Sequence, residues 1–390
     1  MGIYLDHAAT TYTDQRVLEK MLPFFSEHFG NPSSAHGYGR KAEKAVMAAR
    51  QQTAKAIGAS AEEIVFTSGG TECDNWAIRG IAEKQGGGHI ITSCVEHHAV
   101  LDTCRYLETK GFEVTYLPVD ETGRVRAKSV TEALREDTIL ISIMFANNET
   151  GTIMPIQEIG QIAREHGVLF HTDAVQAVGH VSVDVEEMGI DLLSMSAHKF
   201  YGPKGVGALY IRRGTPIVKL LHGGSQERDM RASTLNVPGI VGLGAAIEIA
   251  AAEIEGNAQH ESSLSGKLAE ALLALPMTKL NGHATERLPG HANISFDGIE
   301  AEALLTYLDL EDIAVSAGSA CSSGSTKPSY VLLEMGLSTT EARGAVRFTI
   351  GRENTEQEIE TAIETTKDAA QRLQQFSPLF NQRKGDEKHV

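Results

Sequence analysis

Cysteine is scarce: four in 390 residues, Cys73, Cys94, Cys104 and Cys321, at irregular spacings. That spacing excludes a disulfide framework and a zinc-ligand pattern, so no metal is expected and each cysteine is judged by its own surroundings. Positive charge is also in deficit. The 35 Lys and Arg against 51 Asp and Glu leave a formal net charge of −16, which argues against unaided binding to nucleic acid or an anionic membrane. No apolar run is both long and uninterrupted. The most apolar window, 240–254, carries Glu248 and Glu253 and is too short to span a bilayer, so a core-facing helix is expected there. The stretch Met1-Gly2-Ile3-Tyr4-Leu5-Asp6 has neither the basic nor the apolar region of an export signal, and Asp6 stands where a myristoylation signal has Ser or Thr. A cytoplasmic protein is expected. With 42% hydrophobic and 22% charged residues the composition is that of a globular chain, and the length implies two domains.

What is present centres on Ser194-Met195-Ser196-Ala197-His198-Lys199-Phe200-Tyr201-Gly202-Pro203-Lys204-Gly205-Val206-Gly207. The runs 190–196 and 206–212 on either side read as strands, which puts Lys199 at a sheet rim. A lysine beside an apolar sheet loses hydration, so its amine is more easily neutral and able to condense with an aldehyde. Read alone, such a lysine is more often a solvated turn residue, and Lys204 shares the loop. About two dozen residues upstream, Val168-Leu169-Phe170-His171-Thr172-Asp173 is an apolar strand ending on a carboxylate. A carboxylate is the partner that a protonated pyridine nitrogen needs, and pyridoxal phosphate needs both groups.

From Tyr4-Leu5-Asp6-His7-Ala8-Ala9-Thr10 to Arg347-Phe348-Thr349-Ile350-Gly351-Arg352 the chain resembles the cysteine desulfurases, in the class V aminotransferase branch of the fold-type I pyridoxal-phosphate enzymes. The resemblance implies an α/β fold: a large domain (14–255) with a mostly parallel seven-stranded sheet flanked by helices. A smaller α+β domain (1–13 and 256–380) and a polar tail (381–390) complete it. It also implies a homodimer with pyridoxal 5'-phosphate as cofactor.

The motifs then acquire expected roles. Ile64-Val65-Phe66-Thr67-Ser68-Gly69-Gly70-Thr71 is a strand, a glycine turn and a helix start, whose free N–H groups and dipole suit a phosphate. By itself any βα turn uses glycine; by resemblance Gly70 and Thr71 cradle the cofactor phosphate, with Ser196 and His198 as further ligands. His97, read alone one of a surface pair with His98, matches the ring-stacking catalytic histidine. Asn148 follows the apolar run 139–146 at a position where ligands bind in open α/β sheets; it matches a contact to substrate or ring oxygen, and Gln176 matches a bond to that oxygen. Thr234 matches a threonine that reaches the partner subunit's cofactor phosphate. Gly30-Asn31-Pro32-Ser33-Ser34 is either a plain turn or part of the substrate pocket's closure.

The reaction is chosen by Ile313-Ala314-Val315-Ser316-Ala317-Gly318-Ser319-Ala320-Cys321-Ser322-Ser323-Gly324-Ser325. This is a strand and then a loop of small residues, able to move, around one cysteine. A buried structural cysteine sits among apolar neighbours instead; Cys73, Cys94 and Cys104 are read that way. The loop resembles that of the housekeeping and nitrogenase-linked desulfurases. The implied activity converts L-cysteine to L-alanine: Lys199 holds the cofactor and moves the Cα proton, Asp173 keeps the ring protonated, Arg347 grips the substrate carboxylate and Cys321 takes the sulfur as a persulfide. An acceptor protein, an iron–sulfur scaffold or a tRNA thiolase, would receive it. The alternatives are a selenocysteine lyase or another class V aminotransferase.

Overall fold

The computed structural model describes residues 2–317 and 327–377. The strands among these residues are β1 (Ile3–Tyr4), β2 (Ile64–Thr67), β3 (His89–Ser93), β4 (Glu113–Leu117), β5 (Thr138–Ser142), β6 (Leu169–Asp173), β7 (Leu192–Ser196), β8 (Gly207–Ile211), β9 (Thr278–Asn281), β10 (His291–Phe296), β11 (Ile313–Ala314), β12 (Ser316–Ala317) and β13 (Ala345–Thr349). Seven form one sheet in the order β2-β8-β7-β6-β5-β3-β4, parallel throughout except for β8, which runs antiparallel to both neighbours. This is the mostly parallel α/β sheet expected.

Its strands read as unbroken apolar runs because both faces are covered. Ile91, Ile141, Leu193 and Tyr210 point into one core. Their chain neighbours Ile90, Leu140, Leu192 and Leu209 point into the other, beneath the helices Gly70–Gln85 and His98–Glu108. Each fully buried Leu or Ile contributes about 1.5–3 kcal/mol relative to exposure. The apolar run after Thr138 outlasts its strand: β5 ends at Ser142, but Ile143 and Phe145 go on donating to the carbonyls of His171 and Asp173 at 3.2 and 2.8 Å. That brings Asn148 to the C-terminal end of β6.

A third core is built on the antiparallel sheet β12-β13-β10-β9 and the parallel pair β1-β11, with the helices Ala301–Leu310 and Glu356–Phe376. The chain is continuous at residue 255, since Val237–Leu273 is a single 37-residue helix. Its first half, through Ala250, packs in the first core, and Leu264, Leu268 and Leu272 pack in the third. Among the described residues this one helix is long and apolar enough, by length and composition, to cross a membrane, longer than the window 240–254 suggested; 56% of its apolar window is buried inside the protein. Val331, Leu332, Met335 and Leu337 return to the first core.

At the N-terminus, the helical periodicity of 14–28 is split into Gln15–Met21 and Pro23–Ser26, because Pro23 has no N–H to continue the first helix. At the C-terminus, Thr355 and Glu358 form a capping box on Glu356–Phe376.

Candidate active site

The site follows from strand register. Asp173, last in β6, lies opposite Ser194 on β7, and the chain leaving β7 turns through Ala197-His198-Lys199. One lysine and one carboxylate therefore stand at adjacent strand ends, outside the carboxyl edge where open α/β sheets bind ligands. A cavity of about 290 Å³ opens there. Gly70, Thr71, His97, Asn148, Asp173, Gln176, Ser196, His198, Lys199 and Arg347 all line it, with Ala8, Ala9, Asp74, Met144, Ala146 and Val175.

The Lys199 amine donates to the carbonyls of Ala8 and Ala9 at 2.5 and 2.9 Å. Gln176 donates to the same Ala8 carbonyl at 3.0 Å. The N-terminal strand reaches this point from the smaller sheet, where β1 pairs with β11. The Asp173 carboxylate accepts the Val175 N–H at 2.9 Å. Burial pushes its proton affinity up, and the opposing charges of His97 and Lys199 pull it back. His97 caps its helix by accepting the Ala99 N–H on Nδ1. His198 holds Thr10 Oγ1 at 3.1 Å, and burial, reinforced by Lys199 and Lys204, pushes it down to about 4. Arg347 on β13 is 2% exposed. Its Nη1 donates to the Asn148 carbonyl at 2.7 Å and its Nη2 to Asp6 Oδ1 at 2.9 Å, while Nε has no hydrogen-bond partner.

Residues 3–361 match the aminotransferase class-V family. The chain belongs to the class V aminotransferase family. It is 54% identical over 380 residues to the cysteine desulfurase IscS of Methanosarcina thermophila, covering 97% of this chain and 94% of the relative. Among solved structures, a NifS-like protein superposes with a TM-score of 0.89 at 41% identity, covering 96% of this chain and 99% of that one. A structure of SspA in complex with cysteine gives 0.81 at 40% identity, covering 90% and 100%. The cofactor of this class V enzyme is pyridoxal 5'-phosphate.

The residues fit that group at both ends. Gly69, with φ +152°, gives the helix Gly70–Gln85 an N-terminus with no side-chain cap, which leaves its first N–H groups open to a phosphate. A Cβ on Gly70 would meet Val175 Cγ2 at 2.6 Å, and one on Gly207 would meet Gly69 Cα at 2.7 Å, so only glycine permits this close turn. At the far end the Asp173 carboxylate lines the cavity, a suitable counter-charge for a protonated ring nitrogen, and Arg347 lines it as well.

Among the described residues, one expected residue does not line the cavity. Thr234 is exposed on the segment after Glu227–Asp229, three consecutive residues in the left-handed region. Buried Glu227 clamps that turn by accepting from Arg50 Nη2 and Nη1 at 2.6 and 2.8 Å and from the Phe66 N–H at 2.8 Å. Arg231 and Glu72 tie the same segment to the glycine-turn helix. Cys321 lies outside the described residues, but β12, four residues before it, is paired with β13 so that Ser316 lies opposite Arg347. Beyond the loop, Ser329 donates to Glu149 and Tyr330 to the Glu96 carbonyl. Cys73 and Cys104 are buried, and burial pushes the Cys104 thiol, and that of the half-buried Cys94, up to about 12 and Cys73 higher still. None of these three has thiolate character at neutral pH. Asp74 and Asp6 escaped the sequence reading, since neither belongs to a local pattern with chemical meaning.

Proposed function

We propose that this class V enzyme is a cysteine desulfurase that converts L-cysteine to L-alanine and carries the sulfur as a persulfide on Cys321. The observation that carries the reading is the pairing of β12 with β13 opposite Arg347. Cys321 follows Ala317, the last residue of β12, by four positions in the sequence, a span of at most about 14 Å.

Bound pyridoxal phosphate supplies an electron sink next to the substrate's Cα. Asp173 would supply the negative charge for the ring nitrogen, His97 and Gln176 would hold the ring, and Gly70, Thr71, Ser196 and His198 would hold the phosphate. Arg347 grips the substrate carboxylate, with Asn148 alongside, and the Lys199 amine takes the Cα proton. The Cys321 thiolate then attacks the substrate sulfur. The new S–S bond forms as the C–S bond breaks, the C–S pair stays with carbon, and protonation of that carbon yields alanine. The persulfide sulfur passes to an acceptor protein, with iron–sulfur assembly or tRNA thiolation as its use.

We further propose that the enzyme is a cytoplasmic homodimer. An open recess of about 730 Å³ shares Thr71 and His97 with the cavity and is also lined by Arg79, Asp102 and Tyr106. It is a place for the partner's Thr234 loop to enter.

The test is Cys321→Ser. Added cysteine should still change the cofactor's absorption spectrum, while alanine and sulfide stay at background, and wild-type protein briefly exposed to cysteine should carry one reducible extra sulfur on the Cys321 peptide. An active serine variant, or persulfide on another cysteine, refutes the reading and favours a selenocysteine lyase or aminotransferase.

A further inference from the structure

Asp74 takes no part in the steps above, yet it lines the same cavity and is 1% exposed. It sits one helical turn past Gly70. One of its oxygens lies within 4.8 Å of a His97 ring nitrogen and of an Asp173 carboxylate oxygen. The other groups around it are His171 on β6, Ser194 on β7 and, at longer range, Glu96 beyond β3. His171 is a basic side chain close by, with Nε2 3.7 Å from Asp74 Oδ1. Its ring is held between Ser142 Oγ at 2.9 Å and Ser194 Oγ at 3.0 Å, and burial pushes it down to about 3, so at neutral pH it is no cation. Asp74 Oδ1 has no hydrogen-bond partner. Asp173, by contrast, has the Val175 N–H and the attraction of His97 and Lys199.

Two buried carboxylates this close do not both ionise at neutral pH; the one with donors and cations keeps the charge. We propose that Asp74 is a positioning residue held as the neutral acid, so that Asp173 alone carries negative charge at the floor of the cavity. Burial, with Asp173 and Glu96 adding to it, acts in the same direction on the Asp74 carboxyl and outweighs the hydrogen bond from Ser194, which acts against it. An ionised Asp74 would drive Asp173 towards its own acid form and remove the charge that the pyridine end requires. The consequence for turnover rests on the reading of Asp173 as the ring's partner; the protonation of Asp74 does not.

The experiment compares full-length wild-type holoenzyme with Asp74→Asn and Asp74→Leu. Infrared difference spectra at pH 7 between wild type and Asp74→Asn should show a protonated-carboxyl band in the wild type that the variant lacks. Asparagine is a neutral isostere, so Asp74→Asn should keep kcat within about threefold and leave the acid limb of the pH profile in place. Leucine keeps bulk and neutrality but removes the hydrogen bond with Ser194, and Asp74→Leu should lose about tenfold or more in kcat, the equivalent of one pKa unit of interaction. Absence of the band, or a tenfold loss in Asp74→Asn, overturns the proposal. If the wild type turns over no cysteine, the desulfurase reading fails while the band still reports the state of Asp74.

Discussion

Arg347→Lys separates the grip on the substrate from the rest of the chemistry. The arginine is buried on β13 and uses two nitrogens at once, Nη1 on the Asn148 carbonyl at 2.7 Å and Nη2 on Asp6 at 2.9 Å. Lysine keeps the charge and can satisfy one of these partners, but it has no planar fork with which to hold a carboxylate as well. A hydrogen bond between charged groups is worth about 1.5–3 kcal/mol, and each 1.36 kcal/mol is tenfold. The variant should therefore raise KM for cysteine by about 10- to 150-fold. kcat should fall less, because the lost contact exists before as well as during the reaction. Steady-state alanine formation over a range of cysteine concentrations measures both constants, and the cofactor spectrum without substrate should match the wild type. A KM within about twofold of the wild type would refute the assignment of Arg347 as the carboxylate clamp.

Asp173→Asn keeps the shape but removes the buried charge; breaking such a pair costs about 3–5 kcal/mol, so turnover should fall by more than about a hundredfold while cofactor content, measured by absorbance, falls far less. Near-normal turnover would show that Asp173 is not the ring's partner. Thr234→Ala should loosen the cofactor, read by dialysis, without abolishing activity, and a fully active wild-type monomer in dilute solution would remove the shared-site idea. Hydrogen bonds from Arg16, with Arg352 adding its charge, hold the Asp14 carboxyl down to about 2. A depressed folded pKa contributes stability that is present above the unfolded value of about 3.9 and is lost as pH falls towards 2. Asp14→Asn should therefore melt at a lower temperature than the wild type at pH 6, with the gap closing below pH 4; parallel melting curves from pH 6 to pH 2 would contradict this.

The sequence by itself determined the local elements and the residues at their ends. The apolar strand run to Asp173, the strand-to-loop passage to Lys199 and the Gly69-Gly70 turn are legible because strand periodicity and glycine punctuation act over a few residues. The resemblance then extended these to His97, Gln176 and Arg347, which the fold brings to one cavity. Other features depended on contacts between distant segments. Pro23 splits the helical periodicity of 14–28, and the helix expected over 240–254 runs on into the single helix Val237–Leu273 that serves two cores. The carbonyls that hold Lys199 come from Ala8 and Ala9, 191 and 190 positions away in the chain. Asp6, Glu227 and Asp74 have no local signature, because what matters about a buried polar group is which partners surround it after folding. For Asp74 this was decided by the crossing of the Gly70–Gln85 helix over β6 and β7, which put a second carboxylate beside Asp173 and, in His171, a base too deeply buried to carry charge.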